Sequence, residues 1–405
     1  VAVTDVGAPR GRVVGIPIDS ETPNDPATWE EIVPESDAVI RTLTPVGDHL
    51  YLSEFVDTYA HLRIVASNGR EIGEVPLPDR GAIAELPFPL MNLTTRGHPE
   101  EFLFAFSSLT ASWGVYRHRP GEDSLETLTA PDIRLESAVV EDQWATSADG
   151  TRIPYHVVRM PDAKTGAALI YAYGGFNAPW VPQFPSNGMA AIVEAGGLFV
   201  HAHLRGGAEF GLEWWEGGRL QNKQNCYADL YAVAEDLIAR GVTTPERLAV
   251  TGGSNGGLMA GVAITQRPEL WKAVVPRVPF LDAIGGMREP YGYVTSKLEF
   301  GDPEDPDDVR RMAEFSPYHL VEKGTHYPAV FIDAGDTDPR CPAWHSRKFA
   351  ARLQAANAAD TPILIHIWEN VGHGWATDKD TEITEHTEWL AFLMQQLGLE
   401  PQEPR

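Results

Sequence analysis

Arg247-Leu-Ala-Val-Thr-Gly-Gly-Ser-Asn-Gly-Gly-Leu-Met-Ala260 is the stretch on which the fold turns. Leu248, Ala249 and Val250 read as a short buried strand, and residues 258–264 read as a helix. Between them Gly252-Gly-Ser-Asn-Gly256 forms a G-x-S-x-G pattern in strand–turn–helix context. Such a strained turn lifts the serine hydroxyl out at the top of a sheet, and the glycines leave it room. A Gly-rich strand–helix turn with an incidental serine has the same appearance in isolation, so the rest of the chain decides.

From about residue 140 the pattern alternates between strand and helix. Strands are expected at 153–158, 167–173, 198–203, 248–251, 273–276, 329–333 and 363–368. Helices are expected at 227–239, 258–266, 346–356 and 381–397, the last with Ile383, Trp389, Leu390, Phe392, Leu393 and Leu397 largely on one side. Alternation of this kind implies a mostly parallel, doubly wound sheet, here an α/β-hydrolase fold over residues 139–405.

Residues 1–138 read as all-β, with strands at 12–18, 49–55, 62–65, 71–75, 101–106 and 114–118 separated by polar turns. A repeat of about 45–50 residues, the length of a four-stranded propeller blade, is visible. Gly47-Asp-His-Leu-Tyr-Leu52 and His98-Pro-Glu-Glu-Phe-Leu-Phe104 occupy equivalent points in it. Two whole blades and a remnant fit, which predicts a partial β-propeller that is truncated, open or completed by a missing N-terminal segment or a second chain.

The 405 residues suffice for two or three domains, and 43% are apolar, as in a soluble globular protein. No run approaches the roughly 20 apolar residues of a membrane helix. A formal charge of −25 repels nucleic acid and anionic membranes, so neither is expected as a partner. Cys226 and Cys341 are the only cysteines, too few for a disulfide framework and without zinc spacing. No basic-then-apolar leader follows Val1, and the expected compartment is the cytoplasm. A start without Met points to processing, trimming or a fragment.

A serine nucleophile needs a base, and the base needs an acid that holds its tautomer. In α/β-hydrolases the order is Ser, acid, His, each on a loop after a strand. Downstream of Ser254, Val330-Phe-Ile-Asp-Ala-Gly-Asp-Thr-Asp-Pro-Arg340 offers Asp333, Asp336 and Asp338 as competing acids. Ile363-Leu-Ile-His-Ile-Trp-Glu-Asn-Val-Gly-His-Gly374 then places the Gly-flanked His373 as base, while His366 inside the strand reads as a core histidine. The oxyanion needs two donors. One is the backbone N–H of Asn255, after the nucleophile. The other is Tyr173 in Ile170-Tyr-Ala-Tyr-Gly-Gly-Phe176, at the loop end of an early strand. Acyl transfer by this set needs no metal or organic cofactor.

These residues resemble the prolyl oligopeptidase family of serine peptidases. The resemblance runs from about residue 140 to about 375. It rests on Tyr171-Ala-Tyr-Gly-Gly-Phe-Asn177, Leu204-Arg-Gly-Gly-Ala-Glu-Phe-Gly211, Asn222-Lys-Gln-Asn-Cys226, Gly252-Gly-Ser-Asn-Gly-Gly257 and Val371-Gly-His-Gly374. The β-rich region looks like the last part of that family's seven-bladed propeller. The resemblance implies Ser254 as nucleophile, His373 as base and, counting back from His345-Ser346, Asp338 as acid. It matches Tyr173 and Asn255 to the oxyanion pair and Arg340 to an arginine that binds a substrate carbonyl. Phe176, Phe280 and Cys341 match walls of the pocket for the residue before the cleaved bond.

Two departures stand out. Proline-selective members stack a tryptophan on the substrate proline, whereas Tyr291-Gly-Tyr-Val-Thr-Ser-Lys-Leu-Glu-Phe-Gly301 contains none, leaving Phe300 or Tyr293 as substitutes. Glu289 and Glu299 nearby keep a basic residue before the cut open. The family's N-terminal segment and first blades are also absent. The expectation is a serine peptidase of short peptides, with post-proline cleavage one option. The alternatives are an esterase or acyl-aminoacyl hydrolase, since one triad serves both chemistries, and an inactive hydrolase-fold fragment or binding module.

Overall fold

A computed structural model describes residues 1–83, 95–163, 166–374 and 377–401. The chain divides into two compact units, which are taken in turn. The first gathers Val1–Glu136, Asn177–Phe184 and Ala208–Trp215.

Among the described residues, three antiparallel sheets make up this first unit. The first is β1 (Ala2–Thr4), β2 (Arg12–Gly15) and β3 (Glu30–Val33). The second runs β4 (Val39–Val46), β5 (His49–Val56), β6 (Tyr59–Ala66) and β7 (Glu71–Glu74) as a meander. The third has β8 (Gly81–Ile83), β9 (Thr95–His98), β10 (Glu101–Ser108), β11 (Ala111–His118) and β12 (Glu126–Thr129), with β8 and β9 both pairing with β10. Alternating apolar residues face each other between sheets, because side chains on a strand point to opposite faces. Val46, Tyr51, Leu62 and Ile64 meet Phe102, Phe104, Phe106 and Tyr116, while Leu50, Leu52 and Val65 pack with Val13 and Val33. Face-packed meanders of this kind are blades, two of them full and one a remnant. The strand β4 escaped the sequence reading, as its Thr and Pro residues blur the alternation. Segments 177–184 and 208–215 join this unit through Val181, packed with Val39, Phe55 and Ala82, and through Leu212, whose N–H donates to Pro9 O at 2.8 Å.

The second unit holds Ser137–Phe176, Pro185–Gly207 and Glu216–Arg405. Among the described residues its eight strands are β13 (Val139–Thr146), β14 (Arg152–Arg159), β15 (Ala168–Tyr171), β16 (Leu198–Ala202), β17 (Leu248–Gly253), β18 (Ala273–Arg277), β19 (Ala329–Gly335) and β20 (Ile363–Trp368). They lie in the order β13-β14-β16-β15-β17-β18-β19-β20, parallel from β16 to β20 and antiparallel at the β13–β14 edge. The central strands are continuous apolar runs, as a sheet covered on both faces requires.

Helices α1 (Asn187–Glu194), α2 (Lys223–Ala239), α3 (Asn255–Gln266), α4 (Pro290–Phe300), α5 (Pro306–Phe315), α6 (Trp344–Ala356) and α7 (Lys379–Leu397) surround it. Among them α2 packs on β13 and β14, α3 on β17 and β18, and α6 on β19 and β20. On α7 the expected apolar side is buried except for Ile383, which is 53% exposed. His366 departs from its reading as a core histidine. β20 is an edge strand only partly covered, and the half-exposed imidazole meets Glu388 Oε2 at 2.6 Å. Among the described residues no helix is long and apolar enough to cross a membrane.

Candidate active site

The strand β17 ends at Gly253 and α3 begins at Asn255, which leaves Ser254 alone in the turn with φ 58° and ψ −116°. A non-glycine residue at positive φ is uncommon and is held by its surroundings. Here the Ser254 N–H donates to Arg277 O at 3.0 Å, and the Leu258 N–H to Ser254 O at 2.9 Å. The turn closes only on glycine. A Cβ on Gly252 would lie 2.6 Å from Gly256 O, and one on Gly256 would lie 2.8 Å from Ala172 O.

Of the three competing carboxylates, Asp338 is the one bonded to His373, with Oδ2 2.6 Å from Nδ1. Its Oδ1 accepts the N–H groups of Arg340 at 2.8 Å and Cys341 at 3.0 Å. Burial pushes this carboxyl up, but the His373 contact and the two backbone N–H groups outweigh it and hold Asp338 below the usual carboxylate range. Asp333 is buried elsewhere, accepting from Trp368 Nε1 at 2.7 Å and facing Arg277 at 3.4 Å. Asp336 accepts the Asn370 N–H at 2.7 Å.

The Ser254 side chain neighbours the Tyr173 phenol and the Cys341 thiol and pulls the pKa of each down, against the larger upward push of burial. Cys341 Sγ in turn lies within 4.8 Å of ligand atoms of Asp338 and His373, so the five side chains form one cluster. That set of Asp338, Cys341 and His373 is the one grouping of potential metal ligands among the described residues. Both cysteines are buried and free of disulfides.

The strand β15 stops at Tyr171, two residues short of the sequence expectation, so Tyr173 sits in the loop rather than on the strand. Burial, with the charge of Glu299 and the Cys341 thiol, raises the Tyr173 phenol above its ordinary value, keeping its proton available for donation at neutral pH. The Asn255 N–H opens α3 and has no carbonyl one turn back to receive it. The Asn255 side chain is turned the other way, donating to Tyr173 O at 2.8 Å and Gly174 O at 3.1 Å.

The expected pocket walls separate into two kinds. Phe280 and Phe300 are buried and stacked at 5.7 Å, and Phe300 meets Phe176 edge-on at 5.6 Å. Phe300 therefore backs Phe176. Tyr293 is exposed on α4, in contact with Lys297. Arg340 stands 5.9 Å over the ring of Tyr291. Glu289 is exposed at the start of α4, whereas Glu299 is buried and paired with Lys223 at 2.8 Å. Sequence reasoning gave Lys223 no role. A lysine heading an amphipathic helix normally faces water, and only its neighbours in space mark it as interior.

Comparison with known proteins fits this geometry. Residues 182–400 match the model of the prolyl oligopeptidase family, and residues 1–131 match that of its N-terminal β-propeller domain. An uncharacterized peptidase of Sinorhizobium fredii is 32% identical over 92% of this chain and 51% of its own length. A prolyl endopeptidase of Elizabethkingia miricola is 29% identical over 98% of this chain and 55% of its own. A solved structure from a study of two prolyl endopeptidases superposes with a TM-score of 0.90 at 35% identity, covering 98% of this chain and 58% of that one. The chain thus spans about half the length of the curated relatives it matches. With matches to both of its units, the chain belongs to the prolyl oligopeptidase family.

Proposed function

We propose that this chain is a serine peptidase acting on short peptides through an acyl-enzyme. His373 takes the proton of Ser254, whose Oγ attacks the peptide carbonyl, and Asp338 orients the imidazole and stabilises its charged form. The Tyr173 hydroxyl and Asn255 N–H hold the oxyanion. His373 then protonates the departing amine, and water, giving its proton to the same imidazole, releases the acyl group from Ser254. The observation that carries this reading is the 2.6 Å bond from Asp338 to His373, in one cluster with a serine at positive φ.

The residue before the cut is proposed to be neutral and apolar, with Phe176 and Phe280 as walls, the buried Phe300 backing Phe176, and Cys341 beside the serine. Glu299 gives its carboxylate to Lys223 and to the Phe176 N–H, so it is not offered to a basic side chain. Proline fits this class. Arg340 is proposed to donate to a substrate carbonyl. The buried, unbridged cysteines are consistent with a reducing cytoplasm. The remnant sheet and two blades are proposed to be part of a larger propeller, completed by further sequence in the same or another chain.

A fluorophosphonate probe and a series of Pro-, Ala- and Arg-containing peptide amides test the reading. Labelling should occur at Ser254 and vanish in Ser254→Ala, with an unchanged circular dichroism spectrum. Turnover should favour Pro or Ala over Arg. Substantial hydrolysis by Ser254→Ala would remove the serine from the mechanism, and a preference for short acyl esters over every peptide would move the chain to the esterases.

A further inference from the structure

The loop after β15 is held in an uncommon conformation. Gly174 has φ 62° and Phe176 φ 60°. A side chain at Gly174 is blocked as well, since a Cβ there would stand 2.4 Å from Cys226 Sγ. Hydrogen bonds from three elements converge on this short backbone. From α2, Lys223 Nζ donates to Gly174 O at 3.0 Å, and the Cys226 thiol donates to the same oxygen at 3.1 Å. From α3, Asn255 Nδ2 donates to Tyr173 O. From α4, Glu299 Oε2 accepts the Phe176 N–H at 2.9 Å. Lys223 and Glu299 then close on each other at 2.8 Å, each 1% exposed.

Stability alone does not account for that pair. Taking two ions out of water is costly, and apolar replacements of buried pairs are often neutral or stabilising. What the pair does provide is geometric. One partner grips a carbonyl and the other an N–H, on the two sides of Gly175, immediately after the residue proposed to supply an oxyanion donor. Lys223 Nζ also lies 5.5 Å from the ring of Phe300, which touches Phe176.

We infer that the buried Lys223–Glu299 pair positions the Tyr173 hydroxyl for the oxyanion by clamping the Gly174–Phe176 backbone from α2 and α4. Both are positioning residues that act through Tyr173 and touch no reacting atom. The inference rests on the peptidase reading above. Misplacing a reacting group by about 1 Å costs about 100-fold, and removing one oxyanion donor about 100- to 1,000-fold.

The test uses the full chain with the double variant Lys223→Met/Glu299→Leu, which leaves no buried charge unpaired. A second variant, Lys223→Met/Glu299→Gln, retains an acceptor for the Phe176 N–H and covers the case in which the first does not fold. In a folded variant kcat should fall about 10- to 100-fold with KM within about twofold, and the glutamine version should recover part of the loss. Tyr173→Phe should cost much less in the variant background than in the wild type, because both changes remove one interaction. Unchanged kcat in a folded variant, or equal Tyr173→Phe losses in both backgrounds, overturns the inference while wild-type labelling by fluorophosphonate keeps the peptidase reading. If the wild type neither labels nor turns over, that reading falls, and amide hydrogen exchange at Phe176 decides the clamp. Loss of protection in the double variant supports it, and unaltered protection overturns it.

Discussion

The Asp338 carboxylate is divided between two tasks. One oxygen is bound by the loop's own N–H groups, which fixes the side chain, and the other is left for His373. An amide at this position presents either the wrong group to the imidazole or the wrong tautomer, and such a change in a comparable triad costs about 10,000-fold. Asp338→Asn should therefore lower kcat by about 1,000- to 10,000-fold, measured on a peptide amide, whereas Asp336→Asn should cost less than about tenfold. The opposite ranking would reassign the acid. The sequence left Asp333, Asp336 and Asp338 open on their spacing alone, since all three fall within six residues spanning the end of one strand and the loop after it. Family resemblance selected Asp338. The structural difference among them is one of direction, as Asp333 turns to Trp368 and Asp336 to the Asn370 backbone. Directions of side chains leaving a loop are not written in residue spacing.

Among the elements, the elbow between β17 and α3 was the most legible, because its glycines mark backbone approach that no other residue allows. Gly256→Ala places a methyl 2.8 Å from Ala172 O and 3.5 Å from Tyr173 Cδ2. We expect it to lower Tm, at a cost of about 1–3 kcal/mol typical of overpacking, and to lower kcat by displacing the Tyr173 loop. The helix α4 was not legible. Gly292 and the β-branched Val294 and Thr295 are poor helix formers, and Pro290 at its first turn with packing on one face overrides them.

The segment Ala208–Trp215 also hid its main feature. Glu209 is buried, with Oε1 accepting the Trp180 N–H at 3.2 Å. Burial pushes its carboxyl up to about 8, against the opposing pull of backbone N–H groups and of Arg41. The ordinary value in an unfolded chain is about 4.3. Between those values the folded state holds a proton that the unfolded state has lost, so stability falls as pH rises from about 4.3 through about 8. Glu209→Gln keeps an acceptor and removes this penalty. Its Tm should exceed that of the wild type at pH 8 and approach it at pH 4–5, as read by thermal melts across that range. Equal differences at both ends would place the proton elsewhere.

Over the whole molecule, the division into blades and hydrolase was visible in the change from short strands to alternating strands and helices. Its boundary was simplified, because a linear reading assigns each residue to the half in which it falls. Segments 177–184 and 208–215 instead lie with the blades, and the Phe184 N–H donates to Ser107 Oγ at 2.9 Å. A polypeptide of residues 137–405 would carry these segments without the sheets they cover, baring Val181 and Phe184. It should melt below the full chain and show increased binding of an apolar dye. Equal melting temperatures would show that the segments are stable without those sheets.

The interleaving reaches beyond truncation. Following the chain from Val1, the path changes unit after residues 136, 176, 184, 207 and 215. A single genetic crossover near residue 138 would join foreign blades to surface loops shaped for the original ones. Exchange of blades among relatives therefore succeeds only when both loops travel with them, and substitutions in the two regions should be inherited as coordinated sets.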